Sequence, residues 1–219
     1  MGKTILTPNQ HFVLDLATKE QGITDWFYFT GGTALSEFYL HHRYSEDLDF
    51  FSEDKIHEQI VDGFINEVTK KIKEKAIKRK IMGHIITTLK FKDKSELKLD
   101  FVYQPYTQLE YGRKYKNLKI ASIWDIMVDK FYTIFNRLTA RDFVDLYFGI
   151  KEVGCDLDQL IKALEEKYEI EFQMSSLLAR LPAVKDVADF PKMIVPFDKK
   201  EMEEFFLKMT KDAEKKIFK

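Results

Sequence analysis

The spacing of apolar and polar positions changes several times along the first half of the chain. Phe12, Leu14, Leu16 and Ala17 sit among polar residues between about Pro8 and Glu20, which predicts a helix. The run from Trp26 to Phe29 is β-rich and stops at Gly31–Gly32, predicting a strand and a tight turn. Helical spacing then resumes, with Leu35, Phe38, Tyr39 and His42 at i, i+3, i+4 and i+7. "DLDFF", Asp47 to Phe51, alternates as a strand does. The charged stretch from Glu53 to Lys80 is predicted to be one long helix. Two alternating runs, "HIITTLKFK" and "ELKLDFVYQ", are joined by Asp93, Lys94 and Ser95 and predict a hairpin. From about Ile120 the pattern is almost wholly helical, with a break near "RLPAVKDVADFPKMIVP". The closing stretch from Lys199 to Lys219, with Phe205, Phe206, Met209 and Ile217, is amphipathic and predicts a docked terminal helix.

These elements predict an α/β (α+β) unit over residues 1–117 and an α-helical bundle over 118–219. Composition narrows the class without naming a chemistry. Hydrophobic residues make up 45% and charged residues 32%, ordinary for a globular protein with a real core. The single cysteine, Cys155, excludes an internal disulfide and suits a reducing compartment, so a cytoplasmic location is expected. No leader pattern opens the chain, and no apolar run approaches the roughly 20 residues of a membrane span. The formal net charge of −1 gives no overall field to attract a polyanion, so any nucleic-acid contact needs a local patch. The densest basic run, Lys70 to Lys80, reads either as the solvated face of a helix or as an RNA-backbone contact.

The aspartates carry the candidate chemistry. Asp47 and Asp49 lie two apart on a predicted strand, so their side chains share a face, with Cα atoms roughly 6.7 Å apart. Two such carboxylates can grip one divalent ion or bridge two. Leu48 and Phe50 point the other way, into a core. Asp100, in "LKLDFVY", stands in mid-strand against β propensity. It either completes a three-carboxylate metal site, if its strand neighbours "DLDFF", or is solvated or paired with Lys98 or Lys90. Gly31 and Gly32, between a strand and a helix, allow the backbone to approach a phosphate at the helix start. Thr33 there can cap the helix or bond a phosphate oxygen. The P-loop spacing GxxxxGK[ST] is absent.

The order of these pieces, "GGTALSEFYLHHRYSEDLDFF" and later "KLDFV", resembles the AbiEii/AbiGii toxin family within the DNA polymerase β-like nucleotidyltransferase superfamily. Gly31 and Gly32 match the first motif element, Asp47 and Asp49 the second, and Asp100 the third carboxylate. Arg43 and Ser45, just before the pair, bring the wording close to the AbiEii branch. A second segment, "DKFYTIFNRLTARDFVDLYF", places Lys130, Arg137, Arg141, Asp142 and Asp145 at the family's Lys, Arg and Lys/Arg-Asp-x-x-Asp positions. Lys130 and Arg137, seven apart, lie about 20° from each other on a helix, at one edge of its apolar stripe. That placement fits two cations facing a cleft, or two snorkelling side chains. Asp142 and Asp145 fit structural ion pairs or the orientation of Arg137 and Lys130. His42, on the apolar helix face, reads as a core or supporting histidine in preference to a ligand.

The resemblance implies a nucleotidyltransferase core with a mixed sheet flanked by helices, followed by the helical bundle. It implies an enzyme that takes an NTP as substrate and uses Mg²⁺, or Mn²⁺, on Asp47, Asp49 and Asp100. Gly31, Gly32, Thr33, Arg43, Ser45, Lys130, Arg137, Asp142 and Asp145 would line or support the nucleotide site, Lys130 with a catalytic part. It further implies a toxin of a toxin–antitoxin or phage-defence system, with tRNA or another RNA as acceptor and a cognate antitoxin as partner. Two alternatives stand beside it: transfer to a protein or small molecule, and a nucleotide-binding regulatory module without turnover.

Overall fold

The computed structural model describes residues 4–171 and 173–217. By internal contacts the chain divides into two units. One holds the residues up to Tyr39 together with Tyr44–Ser122; the other holds Leu40–Arg43 and the residues from Ile123 onward.

The first unit is built on a seven-stranded mixed sheet. Helices α1 (Pro8–Ala17) and α2 (Gln21–Trp26) precede β1 (Tyr28–Thr30). Thr7 caps α1 with a reciprocal Thr7–Gln10 capping box, and Pro8 begins the helix, where its missing N–H costs nothing. A short helix α3 (Gly31–Leu35) runs into a π-helical turn, Ser36–Leu40. Strand β2 (Leu48–Ser52), helix α4 (Glu58–Ile72) and strands β3 (Ala76–Ile81), β4 (His84–Lys90) and β5 (Glu96–Tyr103) follow. Strands β6 (Lys114–Tyr115) and β7 (Leu118–Ile120) complete the sheet, whose order is β3-β4-β5-β2-β1-β7-β6. The pairs β1/β7 and β2/β5 are parallel and the others antiparallel.

One face of this sheet is apolar. Phe29, Phe50 and Phe101 are fully buried, and the Phe50 and Phe101 rings stack at 5.2 Å. Phe64 of α4 meets both rings edge-on, so α4 covers this face with Val61, Phe64, Ile65 and Val68. The predicted hairpin is present. Asp93 closes its loop by accepting from the Ser95 N–H and hydroxyl, with Lys94 in the left-handed region.

The long helix expected from Glu53 to Lys80 is corrected. The helix α4 ends at Ile72, Lys73 takes a left-handed cap at φ +58°, and residues 76–81 form an edge strand. All six residues of β3 pair with β4 across a two-residue turn at Met82 and Gly83. Every residue from Ile77 to Ile81 is exposed. The strand therefore has no apolar alternation to announce it, and its lysines suit an edge that must not recruit another strand. The short strands β6 and β7 were also not anticipated. Strand β7 pairs with β1, and the division by internal contacts falls after Ser122.

The second unit is helical: α5 (Ile123–Asn136), α6 (Ala140–Val153), α7 (Leu157–Tyr168), α8 (Met174–Arg180) and α9 (Lys199–Ile217). A 3₁₀ turn, Leu181–Asp186, and irregular chain up to Asp198 make the expected break. Ion pairs join the helices. Lys167 of α7, with no side-chain exposure, reaches Asp125 at 2.9 Å and Asp129 at 2.5 Å, both on α5. The amphipathic face of α9 buries Met202, Phe206, Thr210 and Ala213. The expectation for Ile217 and Lys219 in that stretch lies outside the described side chains. No helix among the described residues is long and apolar enough to cross a membrane.

Candidate active site

Strands β2 and β5 run parallel in a register that pairs Asp49 with Asp100 and Phe50 with Phe101. Paired residues on adjacent strands share a face, and successive residues alternate. The phenylalanines therefore enter the core while Asp49 and Asp100 emerge side by side on the other face. Thr30 of β1 is paired with Asp49 from the opposite side, extending the row. Asp47 lies one residue before β2, next to Lys98 of β5. The Lys98 Nζ is 3.1 Å from Asp47 Oδ2 and 2.8 Å from Asp100 Oδ2. Burial alone would lower the Lys98 pKa, but its bonds to Asp100 and Asp47 outweigh it and raise the pKa. The pairing of Asp100 with Lys98, one of the alternatives read from sequence, is thus present, whereas Lys90 pairs with Glu96.

The glycine turn lies directly against these acids. Gly31 has φ +75°, and a Cβ placed there would fall 2.0 Å from Asp49 Oδ2. The Asp49 carboxylate occupies the space a side chain would need, so close approach and backbone angle both demand glycine. Gly32 is buried behind it. Thr33 is fully buried, and its hydroxyl donates to the Asp47 main-chain carbonyl. It pins the start of β2 and does not cap the helix; Thr30 holds the cap position, without a side-chain bond. Ser45 contributes its main-chain carbonyl, which accepts from Gln10 Nε2 at 2.8 Å and ties this loop to α1.

Asp100 Oδ1 is buried and has no hydrogen-bond partner among the described residues. A carboxylate oxygen can only accept, and leaving it without a donor or cation is costly. That oxygen, beside the in-register Asp49, fits a hard divalent cation. Among the described residues, however, no three His, Cys, Asp or Glu side chains form a ready ligand set. The fit is to the Asp49–Asp100 pair, with Asp47 held on Lys98.

A second cluster lies wholly within the helical unit. Asp145 of α6, with no exposure, accepts from His42 Nε2 at 2.8 Å and from Arg43 Nε and Nη2 at 2.6 and 2.7 Å. Lys130 of α5 bridges Asp145 at 2.9 Å and Asp142 at 2.8 Å. Arg137 grips Asp142 through Nε at 2.9 Å and Nη2 at 3.2 Å, with Thr139 also bonded to it. Burial alone would raise both carboxyls, but the cations hold Asp142 and Asp145 well below the usual range. Burial lowers the His42 pKa despite Asp145, so its ring stays neutral. Lys130 is held above its usual value, because its two aspartates outweigh burial.

Of the two parts the sequence offers Asp142 and Asp145, ion pairing or orientation, the geometry has them holding Lys130 and Arg137. Arg43, expected to line or support the nucleotide site, has its side chain buried on Asp145. His42 is the core histidine that was expected. The residue whose part was underrated is Lys98. Its signal was its position two residues before Asp100, which puts both side chains on one face.

Residues 15–217 match the AbiEii family, described as nucleotidyl transferase AbiEii toxin, type IV toxin–antitoxin system. An uncharacterized protein of Aquifex aeolicus is 31% identical over 193 residues, covering 84% of this chain and 90% of its own. The crystal structure of JHP933 from Helicobacter pylori superposes with a TM-score of 0.58 at 22% identity, over 95% of this chain and 91% of that one. A second H. pylori structure, of a candidate nucleotidyltransferase, gives the same score and identity over 96% and 97%. At that identity the structural likeness establishes the fold, a mixed sheet flanked by helices with a C-terminal helical region. The family match spans both motif segments and nearly the whole chain: this protein belongs to the AbiEii nucleotidyltransferase toxin family and is a nucleotidyltransferase.

Proposed function

We propose that the enzyme transfers a nucleoside monophosphate from an NTP to a hydroxyl of an RNA acceptor, a tRNA, in a reaction that depends on Mg²⁺ or Mn²⁺. The observation that carries this reading is the in-register pair Asp49–Asp100 set against the Gly31 turn, with a buried Asp100 oxygen that has no partner among the described residues. Asp49 and Asp100 would hold the divalent ion, which would supply charge neutralisation at the phosphates and a lowered pKa at the acceptor hydroxyl. Gly31 and Gly32 let the backbone approach the triphosphate without side-chain obstruction. The acceptor oxygen bonds to the α-phosphorus, the bond to the β-phosphate bridging oxygen breaks, and pyrophosphate leaves. Asp100 accepts the hydroxyl proton. In the helical unit, Asp142 and Asp145 fix Lys130 and Arg137, and the Arg137 side chain is half exposed.

The family's type IV assignment supports a toxin acting in the cytoplasm, countered by an antitoxin encoded beside it. The test is incubation with each α-labelled NTP, Mg²⁺ and total tRNA. Label in tRNA with wild type, and none with Asp49→Ala, is expected. Label in protein or small molecules would redirect the acceptor. NTP binding without pyrophosphate release would leave only a binding module.

A further inference from the structure

The acids of the proposed metal site form a two-by-two grid with one lysine. Asp47 and Asp49 stand along one strand line, Lys98 and Asp100 along the next, all toward one face. Without Lys98 the grid would hold three negative charges within two residues of each other. Its ammonium lies within contact of two of them and takes Asp100 Oδ2, while Oδ1 of the same carboxylate has no hydrogen-bond partner among the described residues. The Lys98 side chain is 39% exposed, so it can leave for water by rotating its own stem. Lys90, on the neighbouring strand, is paired with Glu96 at the end of the hairpin instead.

We infer that Lys98 is a resident counter-cation that neutralises Asp47 and Asp100 in the metal-free enzyme and competes with a divalent ion for them. This rests on the metal-dependent reading above and adds a restraint to it. The nucleotide-free enzyme holds divalent ions weakly, because an incoming ion must displace an ammonium already in contact with two of its carboxylates. An ion arriving with a triphosphate brings negative charge that the displaced ammonium can face. Lys98 is thus a positioning residue for the acids and a brake on metal loading.

The test is Mn²⁺ titration of the nucleotide-free full chain, read by loss of the free-ion electron paramagnetic resonance signal. Wild type, Lys98→Met, Lys98→Arg and Asp49→Asn are compared. Lys98→Met should bind Mn²⁺ at least about 30-fold more tightly, the scale for removing a unit charge about 4 Å from a divalent ion even at the dielectric of water. Lys98→Arg, which keeps the charge, should stay near wild type, and Asp49→Asn should bind more weakly. Lys98→Met should also melt lower than wild type in chelator and gain more on adding Mn²⁺. An unchanged or weaker Mn²⁺ affinity in a Lys98→Met protein with wild-type circular dichroism overturns the inference and leaves the metal reading standing. No Mn²⁺ binding by any variant, together with no Mn²⁺-dependent binding of labelled NTP to the protein in equilibrium dialysis, instead overturns the metal reading itself.

Discussion

Replacing Asp145 with asparagine keeps the shape of a fully buried side chain and deletes its charge. Wild-type Asp145 accepts four polar contacts: His42 Nε2, Arg43 Nε, Arg43 Nη2 and Lys130 Nζ. In the variant Lys130 keeps Asp142, but Arg43, only 3% exposed, loses the carboxylate it grips at two points. Removing one partner of a buried ion pair costs about 3–5 kcal/mol. Against a total stability of roughly 5–15 kcal/mol that is a large fraction. A chain of this size moves about 2–4 °C per kcal/mol, so the melting temperature should fall by about 6–20 °C at neutral pH. Thermal melts followed by far-UV circular dichroism measure it. Glu201→Gln, which removes the charge from the exposed Lys151–Glu201 pair, should leave the melt nearly unchanged. The double variant Arg43→Met/Asp145→Leu should recover part of the loss, since apolar groups replace both charges. If Asp145→Asn melts with the Glu201 control, the cluster does not hold the helical unit as described.

Gly31→Ala should cost about 1–3 kcal/mol from the left-handed backbone alone and push the Asp49 carboxylate aside, so transfer activity should fall further than stability. Wild-type melting with full activity would contradict the close packing at that turn. Acidification should destabilise the protein in two stages. His42, held neutral by burial, takes up a proton more readily when unfolded, so its contribution fades as pH falls below about 6.5. The depressed Asp142 and Asp145 contribute stability that is present above their unfolded pKa of about 3.9 and lost below it. A flat melting temperature from pH 7 to pH 3 would contradict both signs. Lys167→Met should destabilise by about 3–5 kcal/mol in urea unfolding, because Asp125 and Asp129 lose the buried ammonium they share. A change inside measurement error would count against that bridge.

The parts of the fold that were legible in the sequence are those where burial imposes a period. In "DLDFF" and "ELKLDFVY" the apolar residues enter the phenylalanine core and the acids cannot follow, so alternation gave both strands and their outward aspartates. The proximity of Asp49 and Asp100 was a conditional expectation, because strand order is set by contacts between distant segments. Strand β3 was unreadable for the converse reason: it buries almost nothing, and its lysines and isoleucines fit helix spacing equally well. Its turn, Met82–Gly83, lacks the Asn-Gly signature of a tight hairpin. Strands β6 and β7 are too short to carry any period. At the site, residue type was informative and partner was not. Arg43, just before the acidic pair, is expected from the resemblance to line or support the nucleotide site, yet a carboxylate 102 residues away claims it.

The most direct test of the central claim is simultaneous measurement of pyrophosphate release and label incorporation, with purified protein, each NTP, tRNA and Mg²⁺. Wild type should release pyrophosphate in step with label entering RNA, stop on chelation, and lose at least about 10²-fold in rate on Asp49→Ala or Asp100→Ala. Undiminished turnover by both alanine variants, or turnover indifferent to chelator, would contradict the assignment of catalysis to the carboxylate pair on β2 and β5.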